Sequence, residues 1–385
     1  MKIRRLEYYD ADSQWKLEPV DFSDNLNLLV GVSGAGKTSI LRAIYSLKKI
    51  ANGESFNGVE WSICFSIEGN DYYWKGKFET KKYIQLTITE EESNQGFSVL
   101  SEHLEKNGET VVERNQEEGI KFNNQQMPKL SSFQSLVDIF SEEEEINIIK
   151  EGFNKVVNTN PSGYFNQIFG IPNKVLKNSK NITLAKIKSS KLIVPIKLSL
   201  VYKIIPEEFN KIKEIFKEIF SQVEELKFSQ FDTVDQEELP LHIDDSLIKT
   251  SILEIREKNQ ENWISQPNIS SGMFKTLMYI GELYLAPENS VILIDEFENS
   301  LGVNCIDSVT DLILKDTNSQ FLITSHHPYI INNIPPAYWK IVTRQGNSVK
   351  VKDAEDYHIS PSRQKGFIDL INVLEEDDED ESPED

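Results

Sequence analysis

The segment Gly31-Val-Ser-Gly-Ala-Gly-Lys37-Thr38 has the spacing G-x-x-x-x-G-K-[ST] of a loop built to hold phosphates. Gly31, Gly34 and Gly36 let the backbone turn its N–H groups inward, and the helix that begins where the glycines stop adds the positive end of its dipole. Ser33, Ala35 and Ser39 complete the cradle. Lys37 would reach the β- and γ-phosphates of a nucleotide, and the Thr38 hydroxyl would hold Mg²⁺. A second feature, Val291-Ile-Leu-Ile-Asp295-Glu296, is an apolar strand ending in two carboxylates. Placed beside the first strand in a parallel sheet, Asp295 would hold the metal's water shell and Glu296 would polarise an attacking water. Many buried strands end in an acid, so this one gains its meaning from the phosphate loop in the same chain.

Two further features have an open reading. Ser270-Ser271-Gly272 heads a helix and offers hydroxyl and backbone donors to an anion, and it is equally an ordinary N-cap. Thr324-Ser-His326-His327-Pro328 closes another apolar strand with two of the five histidines in the chain, where a structural role is as good a reading as a chemical one. Cys64 and Cys305 lie far apart with no CxxC or Cys/His ligand spacing, which argues against zinc or a disulfide framework and leaves them as small core residues.

Several elements must position these groups. Period-2 patterns mark strands at Ile3–Tyr9, Asn25–Val30, Trp61–Ile67, Tyr72–Phe78 and Tyr83–Ile88, most of them antiparallel. Residues 37–50 carry apolar positions at helical spacing. Residues 104–130 are polar, rich in Asn and Gln and broken by glycines, so they are expected to form loop with one hairpin. Pro206 opens a helix in which Phe209, Ile212, Phe216, Val223 and Leu226 form an apolar stripe. From residue 270, helix (271–286), strand (290–294), helix (304–316), strand (320–324) and short helix (329–333) alternate as in a parallel sheet covered on both faces. A hairpin is expected at Arg344–Val351.

The chain has 385 residues, 39% of them hydrophobic, with 41 Lys+Arg against 62 Asp+Glu. No stretch is long and apolar enough to span a bilayer and the N-terminus lacks a signal core, so a cytoplasmic protein is expected. Residues 375–385 contribute nine acids and no base, and read as a disordered tail that keeps the chain soluble or docks a basic partner. Between Gly152 and Pro206 the balance reverses, with nine lysines from Lys155 to Lys203 and no acid. That segment is either a solvated face or a contact for nucleic acid or an acidic protein.

Taken in order, phosphate loop, Ser-Ser-Gly, strand-Asp-Glu, Asn299-Ser300-Leu301 and Thr-Ser-His resemble the ABC-type ATPase heads of the SMC and RecF group. The resemblance covers roughly residues 1–50 and 265–345. Within the group the chain is most similar to the stand-alone ATPases of bacterial anti-phage systems such as Septu, PARIS and retron-associated systems, and to the ATPase half of OLD-family nucleases. It implies an α/β P-loop NTPase of ABC-ATPase type, with a mixed sheet, an antiparallel β subdomain and an inserted helical subdomain. The implied parts are an N-terminal ATPase half (1–130), an inserted subdomain (131–264), a C-terminal ATPase half (265–350) and an extension (351–385). It further implies ATP and Mg²⁺ as cofactors, Ser270–Gly272 as the signature, Asp295 and Glu296 as the Walker B pair and Ser300-Leu301 as the D-loop. His326 becomes the switch histidine, and Gln134 is the candidate for the Q-loop glutamine and a metal ligand. The signature of one subunit would complete the nucleotide site of another, so ATP would hold a head-to-head homodimer or higher oligomer. The chain departs from the SMC pattern in having Ser33 where an Asn is usual, and it lacks the long coiled-coil arm. The expected function is an ATPase that senses or gates a separate effector, such as a nuclease, in anti-phage defence. The alternative is a RecF-like repair ATPase that contacts DNA through Lys155–Lys203. No membrane partner is expected.

Overall fold

The computed structural model describes residues 1–81, 96–159, 161–165, 167, 169–172, 182–231, 247–299 and 301–379. The chain opens with strands β1 (Lys2–Asp10), β2 (Trp15–Asp21) and β3 (Leu26–Val30), then helix α1 (Lys37–Ile50). β4 (Glu60–Ile67), β5 (Asn70–Phe78), β6 (Val99–Lys106), β7 (Glu109–Asn115), β8 (Gly119–Phe122) and β9 (Gln125–Gln126) follow, with α2 (Leu136–Ile139), α3 (Glu144–Asn154) and β10 (Val156–Thr159). Next come α4 (Pro161–Tyr164), β11 (Phe169–Pro172), α5 (Leu184–Ser189), α6 (Val194–Ile204), α7 (Pro206–Ile219), β12 (Val223–Phe231), β13 (Leu247–Glu257), β14 (Ile264–Ser265) and α8 (Ser271–Leu285). The last part holds β15 (Val291–Ile294), α9 (Val303–Lys315), β16 (Gln320–Thr324), α10 (Pro328–Asn333), β17 (Trp339–Gln345), β18 (Ser348–Asp353) and α11 (Arg363–Glu379).

Two compact units result: residues 1–158, 289–296 and 317–385 form one, and residues 159–288 and 297–316 the other. The first is built on one mixed sheet, in which the described strands run β10-β15-β16-β3-β17-β18-β2-β1-β4-β5-β6-β7-β8-β9. β15, β16, β3 and β17 are mutually parallel, while β1, β2 and β4–β9 are antiparallel. Every residue of β3, β15 and β16 is buried, as expected for parallel strands covered on both faces. Buried Gln320 ties this parallel part to β1, accepting from Ile3 N at 2.7 Å and donating to Ile3 O at 2.7 Å. The antiparallel part packs Trp61, Trp74, Phe65 and Phe153 of α3 edge to face, a geometry that adds specificity to apolar burial.

In the second unit, the apolar helices α6 and α8 approach closely at Gly281, where an added Cβ would lie 2.9 Å from Leu198 Cδ1. β11, β13 and β12 form a small antiparallel sheet, with β14 on β13.

Several expectations need correction. Residues 104–130 form the meander β6–β9 and not a loop: Asn107 and Gly108 (φ 52° and 83°) and Asn123 and Asn124 (φ 46° and 63°) make tight left-handed hairpin turns. Strand β2 had no alternation strong enough to be seen. The helix from Pro206 stops at Ile219, and Val223 and Leu226 belong to β12, where a register shift between Val223 and Glu225 sets two buried residues three apart and so imitates helical spacing. The acidic tail is helical as far as Glu379, because α11 is anchored by buried Leu370 and by Asp369 Oδ2, which accepts from Ser360 N at 2.9 Å. The first unit runs to residue 158, past the expected boundary at 130, and the Ser-Ser-Gly helix belongs to the inserted unit. Cys305 is buried, whereas Cys64 is only half-buried. The strand expected at Tyr83–Ile88, and residues 380–385, lie outside the described residues.

Candidate nucleotide-binding site

Parallel pairing brings the C-terminal ends of three strands to one edge. Ile294 stands opposite Ile323, and Thr324 opposite Leu29, so Asp295, Thr324 and the start of the phosphate loop are neighbours. This is the edge at which open parallel sheets bind ligands. The loop itself depends on its glycines. Gly34 and Gly36 have φ of 86° and 101°, left-handed values open to glycine, and a Cβ on Gly31 would lie 2.3 Å from Val342 O. Gly36 occupies the N-cap of α1 without a side chain to cap it, and the first turn holds no acid. The N-cap residue thus brings no side chain to the first turn of α1, the end of a helix that suits an anion.

Lys37 Nζ donates to Gly31 O and Val32 O, both at 2.8 Å, which places the ammonium across the mouth of the loop. Thr38 Oγ1 donates to Asp295 Oδ1 at 3.0 Å. Thr324 Oγ1 donates to the same carboxylate oxygen at 2.6 Å and accepts the Glu296 backbone N–H at 2.8 Å. Glu296 itself has φ of 47°, an unusual value for a residue with a side chain, and is exposed. One buried threonine thus holds the Asp295 carboxylate and the Glu296 backbone.

The donor set at Thr38 and Asp295 is a hydroxyl and a carboxylate, both hard oxygens on an open edge. That fits Mg²⁺, which keeps several waters and is completed by substrate phosphates rather than by an all-protein cage. Among the described residues, no group of three His, Cys, Asp or Glu is placed to hold a metal ion.

A family model described as "AAA domain, putative AbiEii toxin, Type IV TA system" matches residues 26–332, which is most of the chain. The chain belongs to this AAA-domain family. It is also similar to the DNA replication and repair protein RecF of Francisella tularensis subsp. novicida, with 27% identity over 95 residues, or 25% of this chain and 26% of that protein. The chain thus spans about a quarter of the length of the curated relatives it matches. Among solved structures, an SmcHead bound to the C-winged helix domain of ScpA aligns with a TM-score of 0.50 and 15% identity, covering 91% of this chain and 97% of its own. The fold of this AAA-domain chain is therefore that of an SMC head: a P-loop fold with a large sheet of parallel and antiparallel strands.

The remaining expected site residues of this AAA-domain chain fall in different places. Ser270 Oγ accepts from Met273 N at 3.2 Å, so the serine caps α8 as an ordinary N-cap, and Ser271 is exposed. The next turn of α8 holds Lys275, whose Nζ contacts Asn299 O at 3.4 Å and whose burial pulls its ammonium below the usual lysine range. Leu301 N donates to Glu298 O at 3.1 Å, and Ser300 lies outside the described residues. His326 is exposed just beyond Thr324, while His327 Nδ1 caps α10 by accepting from Tyr329 N at 3.2 Å.

Gln134 is not at the site. Its Nε2 donates to Asp138 Oδ2 at 3.0 Å and lies 3.4 Å from a Cβ built on Gly53, past the C-terminal end of α1. The 14 residues of α1 span roughly 20 Å, which separates Gln134 from Thr38 by about that length. Lys155 O accepts from Val291 N at 3.2 Å, so β10 starts level with β15 at the end of the described sheet. Thr324 stands in the Thr-Ser-His motif, but nothing in the sequence marks it as the partner of Asp295 and Glu296. Of the basic segment, Lys186, Lys191 and Lys203 are exposed, but Lys197 is buried with its Nζ on Lys188 O at 2.9 Å, while Lys174, Lys177 and Lys180 lie outside the described residues.

Proposed function

We propose that this chain is a Mg²⁺-dependent ATPase that works as a dimer, with ATP held by the phosphate loop of one copy and by Ser270–Gly272 of the other. The observation that carries the reading is the convergence of Thr38, Asp295, Thr324 and Glu296 through bonds of 2.6–3.0 Å beside an uncapped helix N-terminus. Lys37 would leave the carbonyls it now serves and move to the β- and γ-phosphates. Thr38 and Asp295 would hold Mg²⁺, which neutralises charge on the transferred phosphoryl group. Glu296, exposed and held through its N–H, would orient the attacking water, and His326, also exposed, would serve as the switch histidine. A γ-phosphate met from one side by Lys37 keeps its other oxygens hydrated. A second helix N-terminus, with the Ser270 hydroxyl turned to donate, can replace that water.

ATP would then join two copies and hydrolysis would release them, which is a switch able to gate a separately encoded effector such as a nuclease in anti-phage defence. The family description, naming a toxin and a TA system, is in keeping with a paired effector. A RecF-like repair ATPase that binds DNA directly is the second reading. It is favoured by the 95-residue similarity to RecF and by the exposed lysines 186, 191 and 203.

Purified chain assayed for phosphate release, with and without EDTA and with and without duplex DNA, separates these readings. Hydrolysis that requires Mg²⁺ and is indifferent to DNA supports the gating ATPase. Turnover stimulated by DNA and lost with rising salt supports the repair reading. The absence of nucleotide binding would refute both.

A further inference from the structure

The β17–β18 hairpin has no part in the reading above, yet it meets the phosphate loop at all three of its glycines. Val342 O lies 2.3 Å from where a Cβ on Gly31 would stand, and Val349 Cγ2 lies 2.8 Å from the corresponding point on Gly36. Between them, Arg344 Nη1 donates to Gly34 O at 3.4 Å. A loop that turns its N–H groups inward turns carbonyls outward, and each of those needs a donor. Lys37 Nζ serves Gly31 O and Val32 O, Ile40 N serves Gly36 O, and Arg344 serves Gly34 O at the apex.

Arg344 is itself held in place. Its Nε donates to Gly346 O in the hairpin turn at 2.7 Å. The turn is tied to β2, where Lys16 N donates to Asn347 O at 2.9 Å and Ser348 Oγ donates to Glu18 Oε1 at 2.8 Å. Glu18 is paired in turn with Lys16 at 3.0 Å. These bonds form a continuous path from β2 through the hairpin tip to the crown of the loop. A planar guanidinium suits such a place because its fork can serve two carbonyls at once, which a lysine cannot do with fixed direction.

We propose that the β17–β18 hairpin is the outer template of the phosphate loop and that Arg344 is a positioning residue for nucleotide binding. It holds the Gly34 carbonyl outward, so that the loop N–H groups face the phosphates before the nucleotide arrives. The inference rests on the nucleotide reading of this site.

The test measures Kd for a fluorescent N-methylanthraniloyl ATP analogue, together with KM and kcat for Mg·ATP, on the full chain. The variants are Arg344→Ala, Arg344→Lys and Lys350→Ala, the last as a control on the same hairpin. Loss of one such contact is expected to raise Kd and KM about three- to tenfold in Arg344→Ala, with kcat little changed and with Arg344→Lys recovering part of the loss. Lys350→Ala should match wild type. Equal Kd in Arg344→Ala and wild type, or a fall in kcat with KM unchanged, overturns the proposal. A wild-type chain that binds the analogue without hydrolysing ATP contradicts the ATPase reading, while the Kd comparison still decides the role of Arg344.

Discussion

Thr324 and Asp295 are joined by a hydrogen bond of 2.6 Å, and the same threonine oxygen accepts the backbone N–H of Glu296 at 2.8 Å. One hydroxyl from the next strand thereby holds the carboxylate of the first acid and the backbone of the second. The hydroxyl is buried, so water does not compete for it.

Thr324→Val keeps the shape of the side chain and removes both bonds. Groups that orient metal-holding and catalytic residues typically cost about 10- to 100-fold in activity when lost, and a reduction of that size in kcat is expected. Steady-state hydrolysis beside a thermal melt checks it. A fall in melting temperature with activity intact would mean that Thr324 serves only the core.

Gly31→Ala should be far more harmful than one methyl group would ordinarily be. The new Cβ would stand 2.3 Å from Val342 O, a backbone atom of β17 that cannot turn aside. Overpacking of this kind costs about 1–3 kcal/mol or more, so a lowered melting temperature with loss of nucleotide binding is expected. Gly346→Ala, with nothing within 4 Å of its Cβ, tests strain from a left-handed φ without a clash.

Gln134→Ala should leave both kcat and the Mg²⁺ requirement unchanged, since the side chain is bonded to Asp138 at the far end of α1. Titration of activity with Mg²⁺ checks this. A raised Mg²⁺ requirement would return Gln134 to the site.

Glu282 on α8 offers a pH test. Burial pushes its carboxyl up from the ordinary 4.5 to about 7, against the opposing charge of Lys197. The folded state holds this proton more tightly than the unfolded chain does. Its contribution to stability is therefore complete below about pH 4.5 and is lost as pH rises through about 7. Glu282→Gln, which cannot ionise, should melt above wild type at pH 8 and lose that advantage at pH 5. Parallel curves at all pH values would contradict the shift.

The parts of this molecule that were legible in its sequence are those where a backbone constraint selects the residue. Gly34 and Gly36 had to be glycine at φ of 86° and 101°, and β15 had to be apolar because both its faces are covered. Partners brought together only by topology were not legible. Thr324 acquires its role from a parallel pairing across nearly thirty residues, and Arg344 from a contact 310 residues away from Gly34. Gln134 failed as a candidate because a position between strands and helices does not say which end of α1 it will meet. The Asn-Gly and Asn-Asn turns of β6–β9 were visible, but their polar strands gave no alternation with which to tell hairpins from loop.

The central claim is that two copies share each nucleotide site, and complementation tests it most directly. Lys37→Ala and Ser270→Arg chains, each inactive alone, are mixed and assayed for ATP hydrolysis. A heterodimer would hold one intact site, the loop of the Ser270→Arg chain facing the serines of the Lys37→Ala chain. With random pairing in a two-fold dimer, about a quarter of wild-type activity should return. If the mixture stays inactive although Ser270→Arg binds nucleotide and the two chains associate, or if Ser270→Arg alone hydrolyses ATP at the wild-type rate, the shared site does not exist.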